Sequence, residues 1–302
     1  MRTLNTEQTV DMIICACDAI IKNRSYLTEV DSRIGDGDHG IGMSGGMEKA
    51  KSALMEKRPF ADINTVFKTT GMTMLNSMGG ASGVIFGSMF LGGMKGLESF
   101  TELDGRLFAR IMRGALEAIK ARGKASVGDK TMVDALEPAV AAMEHADTED
   151  MRETLEAAYK AAYEGVERTK TYVARFGRAK SLMERSIGFQ DAGATSVAII
   201  FEAMYLHWNH HLLSFILKRC QRRLTKVLFL CACNLKEIIQ PDKSSILRIS
   251  CSVKIPFDHK CRCCSRGNGG RQFLFEVICR HNIHLNGITL FIFFVILGNN
   301  FS

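Results

Sequence analysis

Three carboxylates fall within eight positions in the stretch Asp31-Ser-Arg-Ile-Gly35-Asp36-Gly37-Asp38-His39-Gly40, and glycines space the last two. Carboxylates gathered on one loop repel one another unless a cation neutralises them. Hard oxygen ligands of this kind suit Mg²⁺, which keeps some waters and shares its shell with phosphates. A solvated acidic turn is the competing reading. An EF-hand is excluded. Counted from Asp36, the loop puts Met47 at the twelfth position, where a bidentate Glu is required. Counted from Asp31, it puts Asp36 where the turn glycine belongs. His39 is either a plain loop side chain or a group placed for nucleotide contact or proton transfer.

The chain has three further polar glycine segments. Met78-Gly79-Gly80-Ala81-Ser82-Gly83 precedes an apolar run, where backbone N–H groups at a helix start can hold an anion. It is neither a Walker A motif nor a Rossmann fingerprint, and a plain helix-packing turn explains it equally well. Gly128-Asp129-Lys130-Thr131-Met132 reads as a helix start capped by Asp129 or Thr131. Gly177-Arg178 and Gly188-Phe-Gln-Asp191-Ala192-Gly193-Ala-Thr195 read as one long surface loop, in which Arg178 suits a phosphate or carboxylate partner.

The elements that must position these segments are helices. Val10, Ile13, Ile14, Cys17, Ile20 and Ile21 recur at helical spacing, as do Met43, Met47, Ala50 and Leu54. Leu107, Ile111, Ala115, Ala118 and Ile119 predict a helix closed by Gly123, and Leu155, Ala158, Ala162 and Val166 predict another. Gly83, Gly87, Gly92 and Gly96 are expected along a single helix, and 196–204 forms the last apolar one. Few or no strands are expected before residue 205.

Composition sets the outer bounds. With 302 residues, 46% hydrophobic and 24% charged, the chain is globular, which excludes a disordered, collagen-like or disulfide-stapled protein. Its net charge of +7 is unevenly held. Residues 206–302 carry 14 Lys and Arg against 4 Asp and Glu, a balance of +10, so the rest is slightly acidic. All 16 Met precede that point, 8 of the 10 Cys come after it, and alanine nearly vanishes beyond it. We therefore expect two regions, 1–205 and 206–302. In the second, His259, Cys261, Cys263, Cys264 and Cys279 suggest a zinc module, but C-x-C-C lacks a paired C-x₂-C spacing. A basic nucleic-acid tail is a further alternative. The abrupt compositional break is better explained by sequence read out of frame. In the first region the two cysteines, Cys15 and Cys17, sit on an apolar helix pattern. No signal peptide or span of bilayer length is visible, so a reduced, cytoplasmic protein with no membrane or nucleic-acid partner is expected.

Taken in order, Asp31-x₄-Asp36-x-Asp38-His39-Gly40, Gly79-Gly80-Ala81-Ser82-Gly83, Gly128-Asp129-Lys130-Thr131-Met132, Gly177-Arg178-Ala179 and Asp191-x-Gly193-Ala194-Thr195 resemble the dihydroxyacetone kinase L subunit family. The resemblance covers about residues 5–205. It departs at Phe189, Ala192 and Met183, where that family usually has His, Pro and Gly. The fold it implies is all-α, an eight-helix barrel.

The resemblance also implies two Mg²⁺ ions held by Asp31, Asp36 and Asp38 and carrying the phosphates of ADP or ATP. His39, Gly40, Ile41, Gly42, Gly80, Ala81, Ser82, Thr131, Met132, Arg178, Asp191, Ala192 and Gly193 would line the nucleotide, with Arg178 and His39 nearest the chemistry. Its implied partners are a K subunit bearing dihydroxyacetone and an M subunit of the phosphotransferase system that supplies phosphoryl groups. A homodimer is left open. Two alternatives stand beside it: a direct ATP-dependent kinase for another small ketose, and a nucleotide-sensing regulatory module.

Overall fold

A computed structural model of the chain describes residues 3–208 and, further on, 262–263, 277–285 and 288–294. It divides into two compact units between Cys233 and Asn234. In the first unit most of the described residues are helical. The helices are α1 (Thr6–Lys22), α2 (Arg24–Ser32), α3 (His39–Lys57), α4 (Ile63–Ser77), α5 (Gly80–Leu91), α6 (Gly105–Gly123), α7 (Val133–Ala146), α8 (Met151–Thr169) and α9 (192–208). The strands there are the two-residue β1 (Leu4–Asn5) and β2 (Glu102–Leu103), paired antiparallel. No helix among the described residues is long and apolar enough to cross a membrane.

The helical spacings found in the sequence are the faces that are buried. Val10, Ile13, Cys17 and Ile20 of α1, Met43, Met47, Ala50 and Leu54 of α3, and Leu155, Ala158, Ala162 and Val166 of α8 all join one core. Methionines fill much of it, their unbranched side chains fitting irregular gaps between helices. Contacts run from α1 to α3, then successively through α4, α5, α6, α7 and α8. Tyr159 of α8 stacks on Tyr205 of α9, and the Cys15 thiol of α1 reaches the Ala203 carbonyl of α9. Successive helices are thus neighbours along the series, and α2 packs on α3 beside it.

Helix ends differ from expectation in three places. The glycine-bearing helix stops at Leu91, and Gly92–Met94 continues as a turn of 3₁₀ helix, leaving Gly96 beyond it. This end packs closely on α6: a Cβ at Gly93 would lie 2.0 Å from the Ile111 carbonyl oxygen. Gly123 is the last helical residue of α6 and does not cap it; Lys124 takes the left-handed position at φ 59°. α9 reaches Trp208, which is 5% exposed and belongs to the core, beyond the break in composition at 205.

In the second unit β3 (Arg262–Cys263), β4 (Val277–Leu285) and β5 (Ile288–Phe294) form an antiparallel sheet in chain order. Cys263 and Cys279 fall in these strands. The other members of the expected zinc group, His259, Cys261 and Cys264, lie outside the described residues, as does the apolar run 227–233.

Candidate functional site

Asp31 sits on the last turn of α2, and residues 33–38 double back to start α3. The two glycines of the turn have separate causes. A Cβ at Gly35 would lie 2.3 Å from Asp31 Oδ1, so glycine leaves that carboxylate its room. Gly37 adopts φ +77°, a left-handed conformation that side chains disfavour. The backbone N–H of His39 then donates to Asp31 Oδ2 at 3.2 Å, so a carboxylate from α2 answers the exposed amide of α3. Asp38 holds the N-cap position of α3, yet its side chain makes no cap bond. One ligand oxygen from each of Asp31, Asp36 and Asp38 lies within 4.8 Å of the others. Desolvation raises the Asp38 carboxyl above its ordinary range, and the charges of Asp36 and Asp31 push it further.

Arg178 closes one side of this cluster, its Nε donating to Asp36 Oδ2 at 2.9 Å. It opens a 3₁₀ segment, Arg178–Ser186, where a plain surface loop was expected. The His39 ring packs against Phe86 of α5 at 5.9 Å between centroids. Its Nε2 lies 2.8 Å from Ser196 Oγ of α9, and burial pulls its pKa down. The imidazole is thus wedged between α5 and α9, with one nitrogen occupied by a serine.

Asp191 caps α9, accepting the Ala194 N–H at 2.7 Å, while its own N–H donates to Thr169 Oγ1 at 3.0 Å. Burial lifts its carboxyl to about 7; Asp134 adds to the rise and Lys130 opposes it. Gly193 lies against Met132, where a Cβ would come 3.3 Å from the Met132 Cβ, so the two segments are neighbours. The 128–132 loop is not capped by Asp129. Asp134 reaches back instead, accepting from Gly128 N–H at 2.6 Å and Thr131 N–H at 2.7 Å, while Thr131 Oγ1 accepts from Val133 N–H.

The structure therefore joins Asp31, Asp36, Asp38, His39 and Arg178 directly. Ser196 links His39 to α9, whose start carries Asp191, Ala192 and Gly193, and Met132 borders them with Thr131. Gly40 is packed on α2, while Ile41 and Gly42 are exposed on the first turn of α3. Gly80 and Ala81 are exposed and Ser82 half-buried at the start of α5. They are tied to the cluster through Phe86 of the same helix, which meets the His39 ring. Three participants were missed from sequence. Asp134 was legible, because Thr131-x-x-Asp134 has capping-box spacing. Ser196 and the buried ammonium of Lys130 gave no local signal.

Fold and site together define a class of all-helical protein in which a carboxylate cluster lies among helix starts. Residues 33–206, more than half of the chain, match the DAK2 domain, and the chain belongs to that family. It is 43% identical to the PEP-dependent dihydroxyacetone kinase 1, ADP-binding subunit DhaL, of Listeria innocua, over 62% of this chain and 89% of that protein. It is 37% identical to the PEP-dependent dihydroxyacetone kinase, ADP-binding subunit DhaL, of Escherichia coli, over 68% of this chain and 98% of that protein. The crystal structure of the dihydroxyacetone kinase of C. freundii superposes with a TM-score of 0.52 at 26% identity, covering 65% of this chain and 34% of that one.

Proposed function

We propose that the chain is the nucleotide-bearing subunit of a phosphoenolpyruvate-dependent dihydroxyacetone kinase, in which bound ADP or ATP relays a phosphoryl group to dihydroxyacetone on a separate K subunit. The observation that carries this reading is the Asp31, Asp36 and Asp38 cluster with Arg178 at its edge. Relatives named as ADP-binding subunits of such kinases support it. The cluster fits Mg²⁺: three hard oxygen donors converge, and the repulsion from Asp36 and Asp31 that adds to desolvation in raising Asp38 is what a divalent cation relieves. Two ions are the expected number, and bound there they would neutralise charge on the nucleotide phosphates.

The chain's own residues hold and orient. Arg178, paired with Asp36, has a mostly exposed guanidinium that can fork onto phosphate oxygens. The free N–H groups of Gly80, Ala81 and Ser82 offer an anion the positive end of α5. His39 to Gly42 supply the first turn of α3 beside the cluster, with the His39 ring fixed by Ser196 and Phe86. Thr131, Met132 and Asp191 to Gly193 form the neighbouring wall for the nucleoside. Phosphoryl transfer needs little covalent work from a protein, so positioning and charge neutralisation are the means. In the same reading an M subunit rephosphorylates the nucleotide, and the basic region beyond α9 is out-of-frame sequence with no part in the site.

The test is mass analysis of ligand released from the purified protein, followed by a donor assay with K and M partners. ADP release and transfer that needs the phosphocarrier are expected. Turnover with ATP alone would favour a direct kinase for another ketose, a reading supported by 36% identity to the L-erythrulose kinase of Pectobacterium atrosepticum, of which this chain covers 32%. Tight binding without turnover would make it a regulatory module.

A further inference from the structure

Lys130 is fully buried, the one basic side chain so placed among the described residues. A buried ammonium is costly to desolvate, and a methionine of similar length would fill the same space without that cost. The backbone there is also unusual, holding φ at +60°, which a non-glycine residue rarely adopts. Asp134, by accepting the N–H groups of Gly128 and Thr131, holds the loop on either side. The result aims the Lys130 side chain inward.

Its Nζ donates to two backbone carbonyls. One belongs to Thr169, the last residue of α8, at 2.6 Å, where the negative end of the helix dipole favours a cation. The other belongs to Phe189. Thr169 completes the junction by accepting the Asp191 N–H on its hydroxyl at 3.0 Å, and Gly188 N–H donates to the Lys170 carbonyl at 2.7 Å. Residues 188–191 are thus fastened to the end of α8 at three points, and the ammonium is the only charged one. Just upstream, Ser186 anchors the segment that begins with Arg178, accepting the Ala174 N–H at 3.0 Å and donating to the Met183 carbonyl at 2.7 Å.

We infer that Lys130 is a positioning residue for the nucleotide site: it clamps the Phe189 carbonyl to the end of α8, so that Asp191 to Gly193 on one side and the Arg178 segment on the other are held ready for ligand. This rests on the nucleotide-binding reading above. It gives a reason for a lysine where an apolar side chain would pack. The side chain touches no ligand; it acts through the backbone of the segment it holds.

The test uses the full chain, titrated with Mg²⁺-ADP by calorimetry, with hydrogen exchange followed over residues 186–193. Lys130→Met should weaken ADP binding about tenfold or more, the scale on which lost supporting contacts act. It should speed exchange at the amides of 188–191 and lower the melting temperature only modestly, because the Thr169 and Phe189 carbonyls lose their donor while the cost of a buried ammonium is removed. Lys130→Gln, which can still donate to one carbonyl, should fall between Lys130→Met and the natural protein. Unchanged affinity in both variants would overturn the clamp. So would a loss of cooperative unfolding in both, which would make Lys130 a folding residue only. Failure of the natural protein to bind Mg²⁺-ADP would show first, and would overturn the nucleotide reading itself.

Discussion

Asp31 serves two structures with one carboxylate: Oδ2 accepts the first amide of α3, and the same group faces Asp36 and Asp38. Asp36→Asn or Asp38→Asn should therefore abolish Mg²⁺-dependent ADP retention while leaving helical content nearly unchanged, since neither side chain caps a helix. Undiminished ADP binding in both would sink the metal assignment. The pH dependence has a definite sign. A carboxyl raised in the folded state binds its proton more tightly there than in the unfolded chain. Its stabilising contribution is present in acid and is lost as pH rises through the raised value. Mg²⁺ offsets the repulsion that then appears, so the rise in melting temperature it causes should be large at pH 7 and fade through the carboxylate range. A metal shift that is flat with pH would contradict this. The aspartates were legible because their chemistry and spacing are local. Lys130 was not, since its partners lie 39 and 59 residues away and only burial sets its charge apart from that of other lysines.

Element by element, helix faces were legible and helix ends were not. A periodic apolar stripe needs only the local chain to be read, whereas the chain just past an end answers to what packs against it, as α6 crowds Gly93 beyond α5. The 3₁₀ segment Arg178–Ser186 shows the same dependence. Within it Met183 holds φ 49° and ψ −129°, a conformation suited to glycine, at an exposed position. Such strain costs on the order of 1–3 kcal/mol, more than the roughly 0.5–1 kcal/mol of extra chain entropy that a glycine gives up. Met183→Gly should therefore raise the melting temperature by about 2–4 °C, read by thermal unfolding. An unchanged or lower value would show that the side chain is held by contacts worth more than the strain. The segment's function is tested separately. Arg178→Ala removes a side chain that is 79% exposed, so it should cost little stability while slowing phosphoryl transfer about 10²-fold or more. Transfer at the natural rate would return the segment to a purely structural role.

For the whole molecule, the break in composition near residue 205 and the end of the packed helical unit are close but not the same. Trp208 lies past the break and is buried in the helical core. The E. coli relative is matched over 98% of its length by 68% of this chain, so the remaining third has no counterpart in it. If residues after α9 are out-of-frame sequence, they were never selected to support the site. A chain ending just after Trp208 keeps every residue from Asp31 to Gly193 and sheds apolar runs and most of the cysteines, which favour association when exposed. It should be more soluble and bind Mg²⁺-ADP as tightly as the full chain. A chain ending at Tyr205 is a different case. It forfeits a buried tryptophan, a loss of about 3–5 kcal/mol for such side chains, and should melt well below the longer truncation. Measuring both cuts separates the contribution of α9 from that of the basic region beyond it. Loss of ADP binding on cutting after Trp208, or stoichiometric zinc in the full chain, would show that the basic region is a working domain.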